Sequence, residues 1–224
     1  TIASSGGGSS MYVYKALFEL LPNIELFYGW GQTETCVLGT GLIISKKMFE
    51  SNDERLKSIG IEHPYLRIKI MDDYGNEMPD EEPGEAWVNF AGSFLGYFKN
   101  AEMTKQNLIG EWVRTGDIFY KKKGYYYMVD RKKDMIKTGG ENVYCEDVES
   151  VLRTHPSIES AAVIGVPCKK FGEGILAVIQ LRPGAEATEK QIIEYCSSRM
   201  ASYKKPRAVV FVSEFPLSDV GKIQ

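Results

Sequence analysis

Four short runs in this 224-residue sequence combine residue types that could do chemistry together. The first is Tyr28-Gly29-Trp30-Gly31-Gln32-Thr33-Glu34, where glycines frame an aromatic side chain and the run ends in a hydroxyl beside a carboxylate. A threonine hydroxyl can donate to a phosphate oxygen, and a neighbouring carboxylate offers Mg2+ the hard oxygen it prefers, with waters and phosphates completing the shell. By itself the run reads equally well as a turn after a buried strand. The second, Glu111-Trp112-Val113-Arg114-Thr115-Gly116-Asp117, reads as a strand ending in a glycine and one aspartate. That carboxylate could accept from both hydroxyls of a ribose, although an Asp at a strand end more often only forms a turn. The third, Asp130 to Tyr144, carries clustered charge and the glycine pair Gly139-Gly140 just before a helix. The fourth, Pro216 to Ile223, is a terminal loop in which Lys222 follows a glycine, a position where a lone lysine is ordinarily just solvated.

Elements that must position these runs follow from periodicity. Tyr14, Leu17, Phe18 and Leu21 recur at helical spacing, Pro22-Asn23 stops the helix, and Ile24 to Tyr28 reads as a strand. Between residues 61 and 130 short alternating runs take over, at Leu66/Ile68/Ile70, Ala86/Val88/Phe90 and Tyr125 to Val129, an antiparallel β region. Beyond Asp130 the order is helix (Val148, Val151, Leu152), strands at Ala161 to Val166 and Leu176 to Leu181, a second helix from Thr188, and a strand at Ala208 to Val212. Thr188 and Gln191 have the spacing of a capping box. This last stretch makes a small α+β domain, with the boundary near Asp130-Arg131, so the chain divides into 1–130 and 131–224.

Composition limits what those domains can do. With 43% hydrophobic and 25% charged residues the chain is neither disordered, collagen-like nor coiled coil. A net charge of −3 supplies no global field for nucleic acid or an acidic membrane. Positive charge is local: Lys121, Lys122, Lys123, Arg131, Lys132, Lys133 and Lys137 face only Asp130 and Asp134 between residues 118 and 137. That is either a solvated turn and linker or the place for a phosphate-bearing ligand, with nucleic acid third. Neither GxxxxGK[ST] nor GxGxxG occurs, so nucleotide binding would use another device. Cys36, Cys145, Cys168 and Cys196 form no CxxC pair and only two histidines accompany them, which argues against zinc and for free thiols in a reducing compartment. No apolar run approaches the ~20 residues of a transmembrane segment. The expected location is cytoplasmic, with peripheral membrane association and a targeting segment upstream of Thr1 left open.

In this order the four runs resemble the adenylate-forming, AMP-binding superfamily: acyl-CoA synthetases, coumarate:CoA-type ligases, luciferases and peptide-synthetase adenylation domains. The resemblance covers nearly the whole chain, from a glycine-rich turn (Gly6, Gly7, Gly8) through the YGxTE-like run, TGD and DRxKDxIxxGGENV to PLSxxGKI. Tyr203-Lys204-Lys205-Pro206 and Gly139-Gly140-Glu141-Asn142 are most similar to the acyl-CoA ligase branch. The fold implied is α/β and α+β: 1–130 as the C-terminal part of the large AMP-binding domain, β-rich toward 61–130, and 131–224 as the small C-terminal lid domain.

The resemblance also implies a two-step reaction in which a carboxylate attacks the α-phosphate of Mg-ATP to give acyl-AMP and pyrophosphate, and a thiol, most often CoA, displaces AMP. By motif, Gly6, Gly7, Gly8, Trp30, Gly31, Thr33, Asp117 and Arg131 would contact the nucleotide, with Trp30 on adenine, Thr33 at the phosphate, and Asp117 and Arg131 at the ribose. Glu34 would bind Mg2+ and Lys222 would be the adenylation lysine. Lys133 matches the hinge, and Gly139, Gly140, Glu141 and Asn142 would form a loop on the thiol side. Trp30 replaces the family's usual Tyr, Cys145 its usual Pro, and Ser9-Ser10 its usual Ala or Pro. The family's loop for the outer phosphates would lie before Thr1, which implies an upstream remainder of the same polypeptide and a fragment inactive alone. Two alternatives stay open: a non-catalytic nucleotide- or CoA-binding module that complements a partner chain, and an adenylation domain that loads a carrier protein. Fatty and aryl carboxylic acids are equally open as substrates.

Overall fold

A computed structural model describes residues 1–4, 11–218 and 223–224. The chain divides into two units, Thr1–Val129 and Asp130–Gln224. The fold is α/β with antiparallel sheets.

The first unit opens with β1 (Ile2–Ser4), α1 (Met11–Leu20) and β2 (Glu25–Tyr28), followed by β3 (Thr40–Ser45), α2 (Lys46–Glu50) and β4 (Ile61–Glu62). These strands make one sheet in chain order, with β1 parallel to β2 and the rest antiparallel. The helix forms because Tyr14 and Phe18, one turn apart, bury together against Leu26, Leu42 and Ile44 of the sheet. It ends where Pro22 can neither donate to a carbonyl one turn back nor let its predecessor stay helical. The opposite face, at Phe27, Ile43 and Ile61, is exposed.

A second sheet follows from β5 (Leu66–Met71), β6 (Gly84–Phe90), α3 (Ala101–Asn107), β7 (Leu108–Ile109), β8 (Trp112–Lys122) and β9 (Tyr125–Arg131). Its order is β5-β6-β8-β7, with β9 also beside β8. Leu66, Ile68 and Ile70 alternate inward as a two-residue period requires and meet Ala86, Val88, Phe119 and Tyr126. The two sheets are joined where the Tyr126 N–H donates to the Gly60 carbonyl at 2.8 Å and the Ile59 N–H to the Tyr126 carbonyl at 2.9 Å. Helix α3 had no apolar periodicity to announce it; it starts because the Asn100 side chain caps the Met103 N–H at 3.0 Å.

The second unit contains β10 (Ile136–Thr138), β11 (Glu141–Val143), α4 (Cys145–Leu152), β12 (Ile158–Cys168), β13 (Gly172–Leu181), α5 (Glu189–Ser197) and β14 (Ala208–Val212). Strands β12 and β13 pair antiparallel along their length, β14 joins β13 in parallel, and β10 meets β13 where Thr138 faces Gly172. Val148 and Leu152 of α4 and Ile192 of α5 bury against Ile175 and Ile179. The capping box is present: Thr188 Oγ1 accepts from the Gln191 N–H at 3.3 Å and Gln191 Oε1 from the Thr188 N–H at 2.8 Å.

Glu149 of α4 is half-buried, accepts from the Val163 N–H at 2.8 Å, and has its carboxyl pushed above the usual range by that burial. A raised folded-state pKa means the ionised form burdens the folded state, so stability falls as pH rises through the folded value. Glu149→Gln, which keeps the acceptor, is therefore expected to melt higher than wild type at pH 7–8. The difference should vanish below the ordinary carboxylate range, as calorimetry across pH would report; an equal or lower melting temperature at pH 8 contradicts the sign.

Two expectations need correction. The strand of the Glu111 run does not end at Gly116-Asp117 but continues to Lys122, because β8 absorbs extra residues as a bulge and regains its pairing. Nor do Gly139 to Asn142 form a loop leading straight into a helix. Gly139 (φ 62) and Gly140 (φ 88) are the two-residue turn of the β10–β11 hairpin, and Glu141 and Asn142 lie in β11. Two successive positive φ values are what a type I′ hairpin turn demands, and glycine supplies them without a Cβ clash.

Candidate functional site

The site in the first unit is built around Trp30, which follows β2 after Gly29. Its carbonyl accepts the Thr40 N–H at 2.9 Å, fixing the backbone against β3. The indole Nε1–H donates to Asp117 Oδ2 at 2.8 Å, and the ring meets Phe119 edge-on at 5.0 Å. Asp117 and Phe119 share a face of β8 because strand side chains alternate.

That face is aimed by the bulge. Glu85 of β6 pairs with Ile118 and Trp87 with Arg114, so Ala86 alone faces Thr115, Gly116 and Asp117. Gly116 takes the left-handed conformation this needs (φ 72), and Thr115 Oγ1 closes the bulge by donating to the Ala86 carbonyl at 2.7 Å. Beside it the buried Glu85 carboxylate accepts from the Arg114 guanidinium at 2.7 Å. Asp117 is thereby held only 8% exposed.

Thr33 and Glu34 sit in a single 3-10 turn, Thr33–Thr35, with Thr33 exposed. The turn is fixed from inside by the buried Thr35, whose hydroxyl donates to the Leu38 carbonyl at 2.5 Å. Cys36 and Val37 then take φ values of 51° and 67°. For a β-branched residue that is strained backbone, of the kind that persists where surroundings over-determine it. Gly31 pairs with Gly39 in an isolated bridge and leaves no room for a side chain against the Val37 carbonyl. Glu34 Oε1 accepts from the Tyr97 phenol at 2.7 Å, and its carbonyl from the Phe94 N–H at 2.8 Å. Beside the indole lies a mainly apolar cavity of about 530 Å3, whose lining includes Phe27, Trp30, Val37, Gly41 and Ile61.

Trp30, Gly31, Thr33, Glu34 and Asp117 all lie in the first unit, where Trp30 and Asp117 meet directly. Arg131, Lys133, Gly139, Gly140, Glu141 and Asn142 all fall in the other, each of them exposed. There Lys133 lines a cavity of about 550 Å3 with Asp130, Asp134, Cys145, Glu149 and Glu173. Burial raises the Asp130 carboxyl, which accepts the Arg131 N–H at 2.7 Å. Cys145, at the start of α4, is buried, donates to the Asp134 carbonyl at 2.8 Å, and is pushed up to about 12 chiefly by burial; such a thiol is unreactive. Gly6, Gly7, Gly8 and Lys222 lie outside the described residues; Leu217 pairs with Ile223 on either side of the latter. Tyr97 and Phe119 were missed by the sequence reading, since nothing local links them to residues tens of positions upstream.

These groups suit a nucleotide with its metal. The donors of the turn, a carboxylate and a hydroxyl, are hard oxygens that fit Mg2+. Among the described residues no group of three His, Cys, Asp or Glu side chains is placed to hold a metal ion. Among the described residues no helix is long and apolar enough to cross a membrane.

Two family models match the chain: the AMP-binding enzyme model over residues 1–98 and the AMP-binding enzyme C-terminal domain model over 147–222. A 4-coumarate–CoA ligase-like protein of Arabidopsis thaliana is 33% identical over 99% of this chain and 39% of its own length. A long-chain-fatty-acid–CoA ligase of Yersinia pestis is 37% identical over 98% of this chain and 38% of its own. The o-succinylbenzoate CoA synthetase of Bacillus subtilis, solved with its acyl-adenylate intermediate, superposes with a TM-score of 0.84 at 30% identity, over 99% of this chain and 44% of that one. The chain therefore spans about two fifths of the curated relatives it matches.

Proposed function

Because this chain belongs to the AMP-binding enzyme family, we propose that it is part of an ATP-dependent acid–thiol ligase that activates a carboxylic acid as acyl-AMP and transfers the acyl group to CoA. The observation that carries the reading is the bond from the Trp30 indole N–H to Asp117 Oδ2 at 2.8 Å, with the Thr33–Thr35 turn following Trp30 closely in the chain. An aromatic face, a carboxylate and a phosphate-facing turn are what adenine, ribose and phosphate respectively require.

In the first step a carboxylate oxygen attacks the α-phosphorus and the bond to pyrophosphate breaks. Here the protein's contribution is placement and charge. Trp30 offers its face to adenine while Asp117 fixes the edge of the indole and takes ribose hydroxyls. Thr33 donates to phosphate, and Glu34 would hold Mg2+, which when bound would supply positive charge against the phosphates. Lys222 stabilises negative charge building on the carboxylate and phosphoryl oxygens. In the second step a thiol sulfur attacks the acyl carbon, the bond to AMP breaks, and the thiol proton leaves. Arg131 then serves the ribose, Lys133 acts as the hinge between the two units, and the β10–β11 hairpin turn approaches the thiol. The apolar cavity beside Trp30 is one wall of the acyl pocket.

The test is pyrophosphate release by the full-length polypeptide that carries this chain, over fatty and aryl carboxylates, with CoA or a carrier protein as acceptor. Release that depends on a carboxylate, followed by acyl-CoA formation, is the expected result. Transfer only to a carrier protein redirects the second step. Nucleotide binding without pyrophosphate release from any acid overturns the ligase and leaves a binding module.

A further inference from the structure

We propose that Tyr97 is a positioning residue for the metal-holding carboxylate of Glu34, an inference that rests on the role given to Glu34 above. Its phenol donates to Glu34 Oε1 at 2.7 Å across 63 residues of sequence. The terminal torsion of a glutamate is soft and roughly two-fold, so a carboxylate at the edge of a turn samples many orientations unless an outside group fixes it. A hydrogen bond to one oxygen restricts the rotation of the carboxylate and leaves the lone pairs of the second oxygen to serve a cation. The donor is neutral, so it orients the carboxylate without cancelling the charge that attracts a cation, as a lysine or arginine in its place would.

Tyr97 is itself held on both sides. Its backbone N–H donates to Thr104 Oγ1 at 2.9 Å, and the Thr104 N–H bonds to the Asn100 carbonyl at 3.1 Å, so the start of α3 supports it. Its ring meets Phe94 edge-on at 4.9 Å. The segment from Gly92 to Tyr97 grips the 3-10 turn at three points. Cys36 Sγ donates to the Gly92 carbonyl at 3.0 Å, the Phe94 N–H to the Glu34 carbonyl at 2.8 Å, and the third contact, from Tyr97, reaches the carboxylate itself. Two of these contacts place the turn and one places the ligand oxygen.

Groups that orient a metal ligand from outside typically change metal affinity by about 10–100-fold when removed. The experiment follows Mn2+ binding by electron paramagnetic resonance in the full-length polypeptide with a non-hydrolysable ATP analogue, for wild type, Tyr97→Phe, Glu34→Gln and the double variant. Phenylalanine keeps the ring against Phe94 and removes only the hydroxyl. The expected result is Mn2+ binding weakened about tenfold by Tyr97→Phe, with metal-free affinity for the analogue changed less than about twofold, and no further loss when Tyr97→Phe is added to Glu34→Gln. If Glu34→Gln weakens Mn2+ binding and Tyr97→Phe does not, the positioning role is wrong while Glu34 keeps its own. If the tyrosine substitution costs the same in both backgrounds, its effect is on the fold and the proposal fails. If Glu34→Gln leaves Mn2+ affinity unchanged, the assignment of Glu34 falls and the role of Tyr97 falls with it.

Discussion

Lys222→Ala in the full-length polypeptide is expected to lower carboxylate-dependent pyrophosphate release by about 10²–10³-fold while sparing conversion of a supplied acyl-adenylate to the thioester. The asymmetry follows from where charge develops. In adenylation a carboxylate and a triphosphate, both anionic, must approach, and an ammonium between them is worth more as the new bond forms than before. In thioester formation the adenylate is already made and its leaving group is AMP, so a cation placed for the first step has little to add. Lysine suits the task as a compact point charge on a flexible stem. Rapid-quench measurement of the two half-reactions separates them. Equal losses in both would mean that Lys222 acts on the fold or on general binding.

Asp117→Asn is expected to raise the KM for ATP and the Kd for AMP by about 10- to 100-fold. In the structure one carboxylate oxygen already accepts the Trp30 indole N–H at 2.8 Å. An asparagine offers one acceptor oxygen and one NH2. Keeping the indole bond would then point donors at the ribose hydroxyls, and serving the ribose would set NH2 against the indole N–H. Either way at least one hydrogen bond to a charged group is lost, about 1.5–3 kcal/mol, where 1.4 kcal/mol is a factor of ten. Trp30→Phe is the companion variant, since it deletes the indole donor and leaves the carboxylate. Unchanged AMP affinity in Asp117→Asn would reduce the carboxylate to a clamp for Trp30 and take it out of nucleotide recognition.

The elements whose burial is periodic were readable in advance. Helix α1 announced itself through Tyr14 and Phe18, β5 through Leu66, Ile68 and Ile70, and α5 through the Thr188–Gln191 cap, because a helical stripe and a strand alternation are properties of local spacing. Helix α3 was not, since its ends are set by a cap and its residues are all partly or fully exposed. The β10–β11 hairpin escaped for a related reason. Gly139-Gly140 is a good hairpin signal, but the three-residue strands on either side are too short to show alternation.

Sequence alone determined which groups are available: an aromatic with glycines around it, a hydroxyl and carboxylate at consecutive positions, an aspartate after a glycine, and their order along the chain. Those are covalent facts, and a family resemblance can be drawn from them before any fold is known. Tertiary structure decided which of those groups meet. Trp30 and Asp117 touch across 87 residues only because β8 bulges at Gly116 and turns its face toward the end of β2. Glu34 acquires Tyr97 only because the segment after β6 folds back onto the 3-10 turn. Spacing in sequence fixes neighbours within a few residues, where backbone geometry is rigid. Contacts between distant residues depend on register and on one-residue irregularities, and those are settled by packing of the whole sheet.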